Sequence, residues 1–285
     1  MATAVPAERD AVARAFPGPG DEVRLPGAVL CRTAPGAGPG REAADAGPGR
    51  EAADADPGRT TADADPGRTT ADADPGREAV GVGAGRSAVV IDLLAAGVGP
   101  ARAAASTAAA LTAAALAGAP YDLVVSAGIG GGFAPGAPLG SLVVADAITV
   151  ADLGAETADG FLPVTDLGFG TVTHRPPESL VRGVAEATGA RTGTILTVST
   201  VTGTAARAAA LRARHPHALA EGMEGFGVAE AADAQGVPVL EIRAISNPVG
   251  PRDRAAWRIG DALAALTAAF GKLAPALESW KPYDQ

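Results

Sequence analysis

Four kinds of residue in this chain sit where their chemistry would be costly unless used. Glu221 and Glu224 lie in AEGMEGFGVAEAA (Ala220–Ala232), otherwise almost wholly alanine, glycine and large apolar residues. Charged groups in such surroundings need a partner. Glu8 lies in TAVPAERD (Thr3–Asp10), one turn into a helix whose first residue is Pro6. Arg243, Ser246 and Asn247 close the stretch EIRAISN (Glu241–Asn247). A carboxylate in the first turn of a helix is favoured in its ionised form by the helix dipole. That is the form a general base needs. A second carboxylate can accept hydrogen bonds from a pair of hydroxyls, and an asparagine amide both donates and accepts. Taken singly, each has a plainer reading. Glu8 is then an ordinary first-turn glutamate, Glu224 a helix N-terminal carboxylate, and Asn247 a turn residue before Pro248.

Two glycine clusters follow apolar runs, AGVGPAR (Ala96–Arg102) and SAGIGGGF (Ser126–Phe133). Neither is a dinucleotide fingerprint, because Arg102 and Phe133 stand where the third glycine belongs, and no Walker A motif occurs. They read either as tight turns or as loops that let backbone N–H groups approach a ligand. His174, His215 and His217 have no metal-ligand spacing, and the single cysteine, Cys31, allows neither an intramolecular disulfide nor a cysteine-rich zinc site. No metal or cofactor is expected. The formal net charge of −9 argues against a nucleic-acid partner and against an anionic membrane surface. MATAVPAERD lacks a basic and apolar leader, and the weakly polar run Ala103–Pro120 is mostly alanine. A cytoplasmic location is the expectation.

These residues must be held by a scaffold. Strands are expected at Gly27–Thr33, Ser87–Leu94, Tyr121–Ser126, Ser141–Ala147, Gly193–Ser199 and Val237–Ile245. Helices are expected at Pro6–Phe16, Pro100–Ala117, Glu178–Thr188, Ala205–Arg214, Glu224–Gln235 and about Ala255–Leu273, with Leu153–Pro177 irregular. Short apolar strands between helices read as buried on both faces. The fold class is therefore α/β, a three-layer sandwich around a central mixed, largely parallel twisted sheet. One stretch breaks the pattern. GPGREAADA and DPGRTTADA repeat with a period of nine from Gly38. No unit holds an apolar residue larger than alanine, so stacked units would bury almost nothing. The expectation is a single domain over residues 1–285, interrupted at about 34–85 by a disordered low-complexity insertion that expands a hairpin loop.

The order of Glu8, SAGIGGG, GMEG and IRAISN along the chain resembles the nucleoside phosphorylase/nucleosidase superfamily, and its methylthioadenosine/S-adenosylhomocysteine nucleosidase branch in particular. TAVPAERDAV and ISNPVGPRDRAAW are similar to the futalosine hydrolases, which cleave futalosine to hypoxanthine and dehypoxanthinyl futalosine in the alternative menaquinone pathway. The resemblance covers nearly all the chain outside the repeats. It implies a nucleoside phosphorylase-like fold, a nucleoside substrate with water as co-substrate, and a homo-oligomer. Glu8 takes the position of the base that activates water, and Arg243 that of an arginine near this water. Met223 and Glu224 take the ribose site. Gly128, Ile129, Gly130 and Ser246 take a loop that binds the base and backbone. Asn247 replaces the aspartate of the adenosine-type enzymes. Its NH₂ would donate to O6 or N7 of a 6-oxopurine, where a 6-aminopurine would meet a donor with a donor. Arg175, Arg252 and Arg254 are candidates to clamp the carboxylate carried on C5′. Glu221, offset by Gly222, is secondary.

Three other readings compete: a phosphorylase of the same superfamily, an adenine-releasing nucleosidase, and a nucleoside-binding protein without activity. The resemblance also calls for about five apolar residues before Thr3, where only Met1 and Ala2 stand. A start upstream of Met1 is the expectation drawn from that.

Overall fold

In the computed structural model the described residues are 1–16, 18, 20–25, 28–33 and 89–280. The nine-residue repeats and the expected insertion lie outside them. The elements run β1 (Ala2–Thr3), α1 (Pro6–Ala13), β2 (Asp21–Leu25), β3 (Ala28–Thr33), β4 (Ile91–Ala95), α2 (Pro100–Leu116), β5 (Val124–Gly132) and β6 (Leu142–Val150). Then follow β7 (Gly154–Thr157), β8 (Gly160–Pro163), β9 (Thr173–His174), α3 (Glu178–Thr188), β10 (Arg191–Thr197), α4 (Ala205–Arg214), β11 (Ala218–Gly222), α5 (Gly225–Asp233), β12 (Val239–Pro248) and α6 (Ile259–Ser279).

The main sheet has the order β11-β10-β6-β12-β5-β1-β4-β3-β2, with β9 against β6, and β11 also pairs with the end of β5. The pairings β10–β6, β12–β5, β1–β5 and β1–β4 are parallel, and β12–β6, β2–β3 and β3–β4 are antiparallel. The sheet is therefore mixed, as expected.

Alternation along the strands divides the core into two layers, because successive side chains point to opposite faces. Val124, Val143, Ala145 and Ile245 pack with Ala110 and Leu111 of α2 and with Val228 and Ala232 of α5. Val125, Val144, Leu240 and Ile242 pack with Val12 of α1, Leu180 and Val184 of α3, and Leu266 and Phe270 of α6. Helices thus cover both faces, giving the three-layer sandwich. Alanine and glycine on α2 and α5 let the two helices approach closely. A Cβ on Gly227 would fall 2.1 Å from the Pro100 carbonyl oxygen.

Several boundaries differ from the sequence expectation. SAGIGGG is not a loop after a strand: β5 continues through it to Gly132. The expected irregular stretch contains the hairpin of β7 and β8 as well as β9. β2 and β11 were not expected. Residues Arg254–Ala256 form a 3₁₀ turn, and α6 begins only at Ile259. β1 has two residues and lies between β4 and β5, with Ala2 opposite both Leu94 and Ser126.

Candidate active site

Glu8, Glu224, Glu241 and Arg243 converge where β5, β11 and β12 meet the N-terminal ends of α1 and α5. Each is buried, with Arg243 at 1% and Glu241 at 0% exposure. Glu8 is the third residue of α1, and its carboxylate turns back over the helix start. Oε2 accepts from the backbone N–H groups of Ala4 (2.9 Å) and Val5 (3.2 Å), and Oε1 accepts from that of Ile129 (2.8 Å). Donors that a helix start leaves unpaired are thereby satisfied and the carboxylate is oriented.

Glu224 is the N-cap residue of α5. Oε1 accepts from Gly99 N–H at 3.3 Å, and Oε2 from Met223 N–H at 3.3 Å and Arg243 Nη1 at 3.2 Å. Gly99 has φ 87°, a conformation that disfavours side chains. The first glycine cluster therefore makes a tight turn whose N–H reaches Glu224. Met223 is half-buried beside it.

Arg243 is the hub. Nε donates to Glu241 (2.9 Å), Nη1 to Glu224 and to the Ile129 carbonyl (3.4 Å), and Nη2 to Ser126 Oγ (3.3 Å). Burial opposes its charge, but Glu241, Glu224 and Glu8 together hold it protonated. Three carboxylates around one guanidinium leave an excess of negative charge, the sign that stabilises a developing sugar cation.

The glycines of β5 make this convergence possible. A Cβ on Gly128 would lie 2.7 Å from both Arg243 Nη1 and Glu8 Oε1. On Gly131 it would lie 3.2 Å from Asn247 Nδ2, and on Gly130 2.8 Å from the Glu221 carbonyl oxygen. The expected binding loop is therefore part of a strand. Gly128, Ile129 and Gly130 form a bare strand that leaves room for side chains of its neighbours, and Ser246 lies in β12 beside it. Ile129 contributes through its backbone N–H.

Asn247 faces Gly131 across a register shift in β12. Its Nδ2 donates to the Pro248 carbonyl at 3.1 Å, and its Oδ1 accepts from Ser246 Oγ at 2.9 Å. A carbonyl only accepts, so the nitrogen must face Pro248, and the amide orientation follows.

Glu221, secondary in the sequence, is buried, and its carboxylate accepts from Thr202 N–H (2.8 Å) and Thr202 Oγ1 (2.5 Å). It pins the segment between β10 and α4. Burial pushes its pKa up, with the Thr202 hydrogen bonds pulling the other way. The three arginines of the expected clamp are not brought together by any ion pair. Arg175, Arg252 and Arg254 are exposed, and among the described residues none pairs with a carboxylate. Arg252 lies 5.2 Å from the Trp257 ring, and its backbone N–H donates to Gly203 at 3.3 Å. Gly99, Ser126 and Glu241 lie in stretches that the sequence singles out, but it assigns none of them a role of its own. Glu241 alone carried a visible signal, a charge inside an apolar strand two residues before Arg243.

Residues 81–277 match the model of the phosphorylase superfamily. The chain belongs to the phosphorylase superfamily. Within it, the chain is 66% identical to the futalosine hydrolase of Streptomyces coelicolor, over 100% of this chain and 98% of that one. It is 36% identical to the futalosine hydrolase of Thermus thermophilus over 54% of this chain and 70% of that one. The superfamily fold is matched by a Helicobacter pylori 5′-methylthioadenosine/S-adenosyl homocysteine nucleosidase, with TM-score 0.67 and 15% identity over 98% and 97% of the two chains. The native futalosine hydrolase of Helicobacter pylori matches with TM-score 0.63 and 15% identity over 97% and 94%. Among the described residues, no helix is long and apolar enough to cross a membrane.

Proposed function

We propose that this chain hydrolyses the N-glycosidic bond of futalosine, releasing hypoxanthine and dehypoxanthinyl futalosine. The full-length identity to the Streptomyces coelicolor enzyme supports the substrate. The observation that carries the chemistry is the fixed Asn247 amide: Ser246 donates to its Oδ1 and the Pro248 carbonyl accepts one N–H of its Nδ2, which leaves a second N–H as a donor.

In this reading Glu224 accepts from the 2′- and 3′-hydroxyls of the ribose, with Met223 against the sugar. As the bond from C1′ to the purine lengthens, its electron pair passes to the base. The second N–H of Asn247 supports that charge by hydrogen bonding to O6 or N7. The excess of carboxylate over guanidinium favours the cationic sugar. Glu8 takes a proton from water as the water oxygen bonds to C1′, the departing hypoxanthine anion takes up a proton from solvent, and Glu8 returns its proton to solvent before the next turnover. Arg243 holds Glu224 on one side and faces Glu8 on the other. Arg175, Arg252 and Arg254 are candidates for the 5′ carboxylate, Arg252 being tied by its backbone to the segment that Glu221 pins. A cytoplasmic homo-oligomer completes the reading.

The test is a substrate panel. Futalosine, aminofutalosine and methylthioadenosine are compared by base release with wild type and Asn247→Asp. Wild type is expected to prefer futalosine. A wild-type preference for the 6-amino substrates would contradict the role given to Asn247.

A further inference from the structure

Glu241 has no role in the reading above, yet the chain goes to some length to house it. It lies on the same face of β12 as Arg243, two residues away, and is wholly buried. Oε1 accepts from Arg243 Nε at 2.9 Å, and Oε2 has no hydrogen-bond partner. The carboxyl group lies against Gly225, where a Cβ would fall 2.1 to 2.3 Å from Oε2, Oε1 and Cδ. Gly222 covers the guanidinium, and a Cβ there would lie 3.1 Å from Cζ and Nε of Arg243. Two glycines of GMEG therefore leave out side chains so that one ion pair can be enclosed. An enclosed pair with an unsatisfied oxygen is poorly explained by stability, because its desolvation offsets the attraction. Its geometry has a better use. Arg243 could form a two-pronged pair with Glu224 or with Glu8 if it were free to turn. Either pair would occupy the hydroxyl acceptor or the base.

We infer that Glu241 is a positioning residue: by taking the Nε–H it fixes the guanidinium plane, so that Nη1 makes a single contact to Glu224, at 3.2 Å, and the guanidinium closes a two-pronged pair with neither Glu224 nor Glu8. The inference rests on the hydrolase reading for its catalytic consequence. The groups facing Glu241 are Arg243 on its own strand and Glu224 from the start of α5, with Glu8 of α1 and Ser126 of β5 reached through the guanidinium. Burial, and then Glu224, push the Glu241 carboxyl up to about 7 against the pull of Arg243. Its grip on Nε therefore tightens as pH rises through neutrality.

The experiment compares Glu241→Gln, which keeps the oxygen for Nε, with Glu241→Met, which has similar length and no acceptor. Each is made in wild type and in Arg243→Ala, with melting curves to check folding. Futalosine turnover by Glu241→Gln is expected within about threefold of wild type, and Glu241→Met is expected to lose about 10- to 100-fold, mostly in kcat. In the Arg243→Ala background the Met substitution should cost less than about twofold. Equal losses for Gln and Met, or the same loss with and without Arg243, would overturn the inference. A second readout needs no substrate. The Arg243 Nε–H resonance in ¹⁵N-arginine protein should be sharp and slow to exchange with water in wild type and in Glu241→Gln and broadened by exchange in Glu241→Met, and an Nε–H equally protected in Glu241→Met would also overturn it. Failure of the wild type to turn over futalosine would count against the hydrolase reading alone, since the resonance is read independently.

Discussion

Glu8 and Glu224 are both buried carboxylates, and their different partners assign them different work. Glu8 is held by three backbone N–H groups and Glu224 by two and a guanidinium. Removing the charge of Glu8 alone should therefore strike the chemical step. Glu8→Gln is expected to lower kcat about 10²- to 10⁴-fold, and also to lower the melting temperature because its NH₂ must face at least one of those backbone N–H donors, measured by hypoxanthine release and thermal unfolding. For Asn247→Asp the expected change is in selectivity. The ratio of kcat/KM for aminofutalosine over futalosine should rise at least about tenfold, because a hydrogen-bonding site discriminates strongly against a mismatched partner. An unchanged ratio would remove Asn247 from specificity.

Elements place these groups, and the decisive one is β5. Gly128→Ala would put a methyl group 2.7 Å from both Glu8 Oε1 and Arg243 Nη1. A displacement of about 1 Å there is expected to cost about 100-fold in kcat. Gly183 of α3 is the contrasting case: a Cβ there meets nothing within 4 Å. Gly183→Ala should raise the melting temperature, since alanine is favoured over glycine in a helix by about 1 kcal/mol. These two glycines also show what was legible in the sequence. α3 and α4 have the expected bounds, because Gly189 ends the first at φ 73° and Thr204 caps the second through the Arg207 N–H. β5 was cut short because glycine ordinarily punctuates a strand, whereas here it admits neighbouring side chains. β11 was missed because ALAEG has neither a β-branched residue nor an alternating pattern. Glu8, Glu224, Arg243 and Asn247 were legible through their order along the chain. Gly99, Ser126 and Glu241 were not, since their roles depend on which strands become neighbours.

At the scale of the molecule, the sheet buries carboxylates of opposite tendency, and pH separates them. Glu241 has a folded pKa raised to about 7 from 4.5 by burial, and Glu221 is raised in the same direction. The unfolded chain releases those protons first. Stability therefore falls as pH rises from about 4.5 and levels off above about 7 for Glu241. Asp92 behaves in reverse. Burial pushes it up, but hydrogen bonds from Arg32 (both 2.8 Å) and Tyr121 (2.5 Å) outweigh that and hold it below 3.8. Its contribution is present above pH 3.8 and is lost as pH falls further. Melting curves should show Glu241→Gln gaining on wild type between pH 5 and 7.5. Arg32→Ala should lose its destabilising effect in strong acid. A constant difference for Glu241→Gln across that range would contradict a raised carboxyl. One reaction decides the function of the whole molecule. Purified protein incubated with futalosine in phosphate-free buffer should release hypoxanthine and dehypoxanthinyl futalosine in equal amounts, and Glu8→Gln should nearly abolish both. Strict dependence on added phosphate, or no hypoxanthine at high enzyme concentration, would contradict it.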